Sequence, residues 1–172
     1  LLASTWRVSA ETVTVNTSQG SFDILLLEED APLTVANFLT YVNSGAFDGS
    51  FFHRSIPGFI LQGGGFAFDP LTGSAPHIAT NAPVVNEFKI SNTRGTVAMA
   101  KVGDDPNSAT SEWFINLADN AAPLDSQTAG FTVFGTVDEA GMVIIDAIAA
   151  LPSSALNVLV SIGACTYVRE VV

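Results

Sequence analysis

Between residues 12 and 16 apolar and polar positions alternate, with Val13 and Val15 set between threonines, and an apolar run follows at residues 22–27. Period-two alternation marks a strand with one buried face. Ser18, Gln19 and Gly20 separate the two segments and are turn formers, so the pair predicts a β-hairpin. Ile24, Leu25, Leu26 and Leu27 are apolar without interruption, which predicts a central strand covered on both faces. The period then changes. Val35, Phe38, Leu39 and Val42 recur at i, i+3, i+4 and i+7, the spacing of one helix face. Asp30 stands at the expected N-cap, Pro32 falls in the first turn, and Gly45 supplies the stop. Asn37, beside that stripe, either hydrogen-bonds inward or faces solvent.

Short strands are predicted at residues 51–53 and 59–62, joined across Ile56, Pro57 and Gly58. Gly63, Gly64 and Gly65 follow, where the backbone approaches something closely. Residues 67–88 carry prolines and little periodicity and read as a long surface excursion. Further strands are predicted at residues 96–101, 113–117 and 131–137, with a loop at 103–110. A second helix is predicted over residues 141–150, with Met142, Ile145 and Ala149 inward and Leu151-Pro152 as its end. Residues 155–168 are β-branched enough for a last strand or pair. Many short strands with two helices predict a mainly β fold, a closed antiparallel β-barrel with a helix over each open end.

The length of 172 residues fits one domain spanning the whole chain, its core from about residue 12 to 168 behind a short N-terminal extension. With 48% hydrophobic and 13% charged residues the chain is globular. Seventeen acids against six bases give a net charge of -11, which argues against nucleic acid as a partner. No run approaches the ~18 apolar residues of a membrane span. Cys165 stands alone and reads as a buried, inert thiol. The chain begins at Leu1 without a methionine, as after a processing event, so a periplasmic location is expected, with the cytoplasm as the alternative. A monomer is expected.

Polar chemistry concentrates at residues 47–66, FDGSFFHRSIPGFILQGGGF, where one arginine and one glutamine lie among aromatics and five glycines. A guanidinium set against the core is costly unless something demands it. Arg54 therefore serves either a site or a buried ion pair with one of the many acids. The glycines are not a phosphate cradle, since no P-loop lysine follows. Two separated histidines and one cysteine do not make a zinc site, and Asp104-Asp105 lacks the calcium-loop pattern. No metal and no cofactor is expected.

This stretch, together with Arg94-Gly95-Thr96-Val97-Ala98-Met99-Ala100, Phe114-Ile115-Asn116 and Gly130-Phe131-Thr132-Val133-Phe134-Gly135, resembles the cyclophilins, the peptidyl-prolyl cis/trans isomerases. The four blocks occur in the family's order across residues 13–148, and Asn86-Glu87-Phe88 is similar to its bacterial members. The resemblance implies a closed eight-stranded barrel capped by two α-helices, with the site on its outer face. It implies Arg54 and Gln62 as catalytic residues. Substrate binding would fall to Phe59, Ile60, Phe114 and Leu124 as a proline pocket, with Met99, Ala100, Lys101, Glu112 and Phe131 nearby. The backbone around Lys101 would read the peptide as an added strand.

The chemistry is consistent with those residue types. Rotation about an X-Pro bond meets a barrier of roughly 18–20 kcal/mol because amide resonance opposes it. Twisting localises the nitrogen lone pair, so a fixed cationic donor favours the half-rotated amide over either planar isomer. His53, beside the arginine, has no proton to transfer in such a reaction and reads as structural; His77 reads as solvated.

The chain departs from the family at several positions. Glu112 stands where glutamine is usual, and a carboxylate there either pairs with Arg54 and weakens it or orients it. Pro123 replaces an aromatic residue, tryptophan in many eukaryotic members, and has no side-chain donor for cyclosporin, so weak cyclosporin binding is expected. Phe131 falls where eukaryotic members carry histidine. Two functions follow: an isomerase acting on proline-containing peptides and unfolded or exported chains, or a proline-peptide-binding module or chaperone with little turnover.

Overall fold

The computed structural model describes residues 11–152 and the backbone of residues 161–168. Residues 1–10 and 169–172, the strand start at 155–160 and the burial of the Cys165 thiol lie outside the described residues or side chains.

The hairpin forms as its sequence requires. β1 (Thr12–Thr17) and β2 (Gly20–Leu26) pair antiparallel from Thr12 opposite Leu25 to Thr17 opposite Gly20, across a Ser18-Gln19 loop. Val13, Val15, Phe22, Ile24 and Leu26 point into the core. β2 lies inside the sheet but is not covered twice: Asp23 and Leu25 face outward, with Leu25 40% exposed.

α1 (Pro32–Asn43) buries Val35, Phe38 and Val42 as the stripe predicts, and adds Thr34 and Tyr41. Its N-cap is Ala31, not Asp30, and no side chain of its own segment caps it. Glu87 does so from outside, accepting from Leu33 N at 3.2 Å and Thr34 N at 2.8 Å. A carboxylate there satisfies orphan donors and meets the positive end of the helix. Gly45 follows the helix with φ 71°, where a side chain would be strained. Asn37 hydrogen-bonds inward to the Thr110 carbonyl at 2.7 Å.

The segment at residues 51–53 is not one strand. The chain pairs as β3 (Ser50–Phe51), breaks at Phe52-His53, and resumes as β4 (Arg54–Ile56), which turns into β5 (Ile60–Gly63). β6 (Thr96–Met99), β7 (Trp113–Asn116) and β8 (Val133–Thr136) complete the site's wall. A short helix α2 (Ala121–Leu124) and a 3-10 turn (Gln127–Ala129) lie between β7 and β8, neither of them visible in the periodicity. α3 (Glu139–Ala149) starts before Gly141, because Asp138 accepts from Gly141 N at 2.8 Å and so fixes the N-cap there. β9 (Ser161–Val168) pairs with β1 and β3.

All ladders are antiparallel, in the order β3-β9-β1-β2-β8-β6-β7-β5-β4. The expected closed eight-stranded barrel is thus corrected to an open, curled sheet. Among the described residues no ladder joins β3 to β4, its two edges. They are nevertheless consecutive in the chain, because Phe52-His53 turns the backbone out of one edge and into the other.

Pleating sorts the side chains. On the inner face Leu61, Val97, Met99, Trp113, Ile115 and Phe134 join the main core, where Phe38 of α1 packs on Trp113 at 6.0 Å and Phe134 at 4.9 Å. On the outer face of the same strands a second, smaller cluster gathers Ile60, Ala98, Phe114, Leu124 and Val133.

Candidate active site

The outer cluster follows from register. Arg54 pairs with Gln62, Gln62 with Phe114, Phe114 with Ala98 and Ala98 with Val133, so one row runs across β4, β5, β7, β6 and β8. Strands spaced about 4.8 Å apart put the polar end of this row within a peptide's width of its apolar end. Arg54 and Gln62 form the polar end. Phe114 begins the apolar one.

Arg54 is exposed, not set into the core as the surrounding aromatics imply. β4 is an edge strand, and its outward side chains have no further strand to cover them. Its Nη1 donates to Gln62 Oε1 at 3.2 Å, and Gln62 Nε2 donates to Glu112 Oε2 at 2.6 Å. Among the described residues Arg54 makes no ion pair, so Glu112 does not neutralise it. The binding-module reading loses its motive there.

Glu112 is engaged by histidines instead. His77 Nε2 lies 3.1 Å from Oε1 and His53 Nε2 3.4 Å from Oε2. The His53 contact, with help from His77 and Gln62, brings the carboxyl down to about 2 against the opposing effect of burial. His77 is therefore not merely solvated. It reaches the site because Phe66 and His77 form a β-bridge and Ile78 N donates to Gly65 O at 2.8 Å, folding the start of the excursion back over the glycines. Gly64 has no room for a side chain, since a Cβ there would lie 2.5 Å from Ser111 O, and one on Gly65 would push on Glu112 Oε1 and His53 Cε1, each 2.9 Å away.

Of the pocket residues, Ile60, Phe114 and Leu124 are buried in the outer cluster, and Phe59, Ala100 and Phe131 pack on it half-buried. Phe114 and Phe131 meet edge to face at 5.7 Å. Met99 is a correction. It lies in the main core at 2% exposure, on the opposite face from Ala98 and Ala100, because neighbours along a strand alternate. Lys101 donates to Thr128 O at 2.6 Å and Gly130 O at 2.7 Å, with its ammonium 4.5 Å from the Phe131 ring centroid. Burial lowers that ammonium's pKa, opposed by Asp105. The side chain thus props the turn behind Phe131, which holds Thr128 at φ 50° and Ala129 at φ 61°.

Three asparagines complete the floor. Asn116 Nδ2 donates to Asn92 Oδ1 at 3.2 Å and Thr96 Oγ1 at 2.9 Å, and Asn120 Nδ2 to Asn116 Oδ1 at 2.8 Å and the Phe59 carbonyl at 2.7 Å. Asn92 Nδ2 in turn reaches the Phe131 carbonyl at 3.1 Å. The network ties two pocket walls to β7. Nothing in the residue spacing announces it beyond Asn116 in its motif.

A cavity of about 450 Å3 lies elsewhere, between the Pro57-Gly58 turn and the C-terminal end of α3. It contains Asp146, which pairs with Arg94 at 2.7 Å, and none of the row residues.

With a lone arginine held by an amide at one end of an apolar recess, comparison with known proteins is decisive. The family described as cyclophilin type peptidyl-prolyl cis-trans isomerase/CLD matches residues 12–166. This chain belongs to the cyclophilins. It is 42% identical over 157 residues to a peptidyl-prolyl cis-trans isomerase of Acinetobacter baylyi, covering 90% of this chain and 80% of the relative. It is 46% identical over 140 residues to peptidyl-prolyl cis-trans isomerase A of Dickeya dadantii, covering 79% and 70%. Among solved structures, a Cryptosporidium parvum cyclophilin matches with a TM-score of 0.73 at 23% identity, over 94% of this chain and 99% of that one. The same cyclophilin in the presence of the dipeptide Ala-Pro matches with a TM-score of 0.67 at 22% identity, over 90% and 93%. The mainly β cyclophilin fold is thus shared with those solved structures.

Proposed function

We infer that this cyclophilin isomerises X-Pro bonds in proline-containing peptides and unfolded chains, and that Arg54 is the group that favours the twisted amide. One observation carries the reading. Arg54 is exposed, unpaired with any acid among the described residues, and held by Gln62 at the head of a row that leads directly into an apolar recess.

A proline ring seated against Phe59, Ile60, Phe114, Leu124 and Phe131 stays fixed while the preceding carbonyl swings. Its nitrogen then lies toward Arg54. As resonance is lost the nitrogen becomes an acceptor, and a guanidinium N–H donates to it; the planar isomers offer no such acceptor, so the contact stabilises the transition state selectively. Arg54 has five N–H donors, and the bond to Gln62 engages Nη1, leaving others to face substrate. A charged hydrogen bond contributes about 1.5–3 kcal/mol, or about one to two decades in rate. No bond is made or broken, so the site requires no nucleophile and no proton transfer.

Past Ala100, whose N–H ends the ladder on the Glu112 carbonyl at 2.9 Å, the backbone of Lys101 leaves the sheet and offers main-chain groups to an extended peptide. The same reading includes weak cyclosporin binding, since Pro123 brings no side-chain N–H, and a monomeric state. A protease-coupled proline-peptide assay on the parent and Arg54→Ala tests it. The expected result is an active parent and a variant at least about tenfold slower with unchanged near-UV circular dichroism. An inactive parent, or an unimpaired variant, would overturn it.

A further inference from the structure

A primary amide has a donor end and an acceptor end of nearly the same shape, so a glutamine between two partners is fixed in one sense only if those partners cannot exchange roles. Arg54 only donates. Glu112, ionised, only accepts. Gln62 lies between them, its Oε1 3.2 Å from Arg54 Nη1 and its Nε2 2.6 Å from Glu112 Oε2, so both neighbours select the same orientation. A glutamine in place of Glu112 would accept in one rotamer and donate in its flip, leaving Arg54 alone to orient Gln62.

The carboxylate is itself held. His53 Nε2 lies 3.4 Å from Glu112 Oε2, and its buried Nδ1 has no partner among the described residues. His77 has an acceptor at each ring nitrogen, the Ile78 carbonyl 2.8 Å from Nδ1 and Glu112 Oε1 3.1 Å from Nε2, an arrangement that only the imidazolium satisfies fully. Phe66 separates the two rings, meeting His53 at 5.1 Å and His77 at 5.0 Å edge to face. Glu112 is the charged group facing His77 across this contact, and Gln62 stands between Glu112 and the Arg54 cation.

We propose that Glu112 is a positioning residue for the isomerase reaction: clamped by His53 and His77, its carboxylate fixes the Gln62 amide with its oxygen toward Arg54. The proposal rests on the isomerase reading above and adds a residue to it. The Ile78 carbonyl and Glu112 raise the His77 pKa above the ordinary imidazole value of 6.5, against the effect of burial. Glu112, at about 2, stays ionised wherever the enzyme is assayed. The clamp therefore loosens from the His77 side as pH rises.

The experiment measures kcat and KM for a neutral proline peptide from about pH 5.5 to 9 on the parent, Glu112→Ala, Glu112→Gln and His77→Ala, and follows the Gln62 side-chain amide by 15N NMR. Glu112→Ala is expected to lose about three- to tenfold in kcat, with KM little changed and the Gln62 amide resonances shifted. Glu112→Gln restores part of the rate without the parent's decline toward high pH, and His77→Ala lacks that decline too. A folded Glu112→Ala with parental kcat and unmoved Gln62 resonances would overturn the proposal, as would a loss confined to KM. If the parent itself were inactive the isomerase reading would fall, and the Gln62 resonances would still decide whether Glu112 holds the amide.

Discussion

Arg54 and Gln62 are register partners across the β4–β5 ladder, and the same pair is joined by a side-chain hydrogen bond of 3.2 Å. Backbone pairing thus sets where the guanidinium lies relative to the Gln62 amide. Removing either member disturbs one unit, so their effects do not add. Gln62→Ala is expected to lower kcat/KM about tenfold, and the double variant with Arg54→Ala to fall little below Arg54→Ala alone. A double-mutant cycle in the peptide assay measures this, and full additivity would mean that Gln62 acts independently.

Phe114→Ala removes the ring that meets Phe131 and lies beside Gln62 in the row. The expected effects are a raised KM, from loss of the proline recess, and a stability loss of about 3–5 kcal/mol from the void left in the outer cluster. Urea unfolding separates the two. A variant with parental KM would place the proline ring elsewhere.

Glu87 caps a helix 53 residues earlier in the chain and also accepts from the Thr34 hydroxyl at 2.8 Å. Glu87→Ala leaves those donors without their carboxylate and is expected to destabilise the fold by about 1–2 kcal/mol. Glu87→Gln, which keeps an acceptor, should lose less. Thermal unfolding of the pair checks the order.

The Glu112–His77 contact gives stability a defined pH window. Glu112 lies at about 2, below its ordinary 4.5, so its contribution is complete above about pH 4.5 and is lost as pH falls through about 2. His77 is raised above 6.5, so its contribution is complete below that value and is lost as pH rises through the folded pKa. Both are present between about pH 4.5 and 6.5. Solvent screening at a carboxylate that is 26% exposed holds the Glu112 part to about 1–2 kcal/mol. His77→Ala should therefore destabilise the protein more at about pH 5.5 than at about pH 8.5 in urea titrations.

The hairpin and α1 were legible because their signals are local: Val13 and Val15 alternate, and Val35, Phe38 and Val42 repeat at helical spacing. The site's motif was legible for a similar reason, since Arg54 and Gln62 lie eight residues apart on two strands of one turn. Strand alternation alone separates Met99 from Ala100, because adjacent residues cannot share a face. What the sequence did not announce depends on distant parts meeting. Glu87 reaches the start of α1 from 53 residues away in the chain, and His77 reaches Glu112 across 35. The exposure of Arg54 likewise follows from β4 lying at the edge of the sheet, which no count of flanking aromatics reveals.

β3 has two residues and β4 three. A sheet edge offers unpaired N–H and C=O groups to which any extended segment can anneal. β3 covers only Ser161 and Ile162 of β9, and Pro57, which has no N–H, follows β4 at the other rim. An extended chain that meets β3 or β4 therefore finds two or three residues to pair with there, too few for a stable ladder.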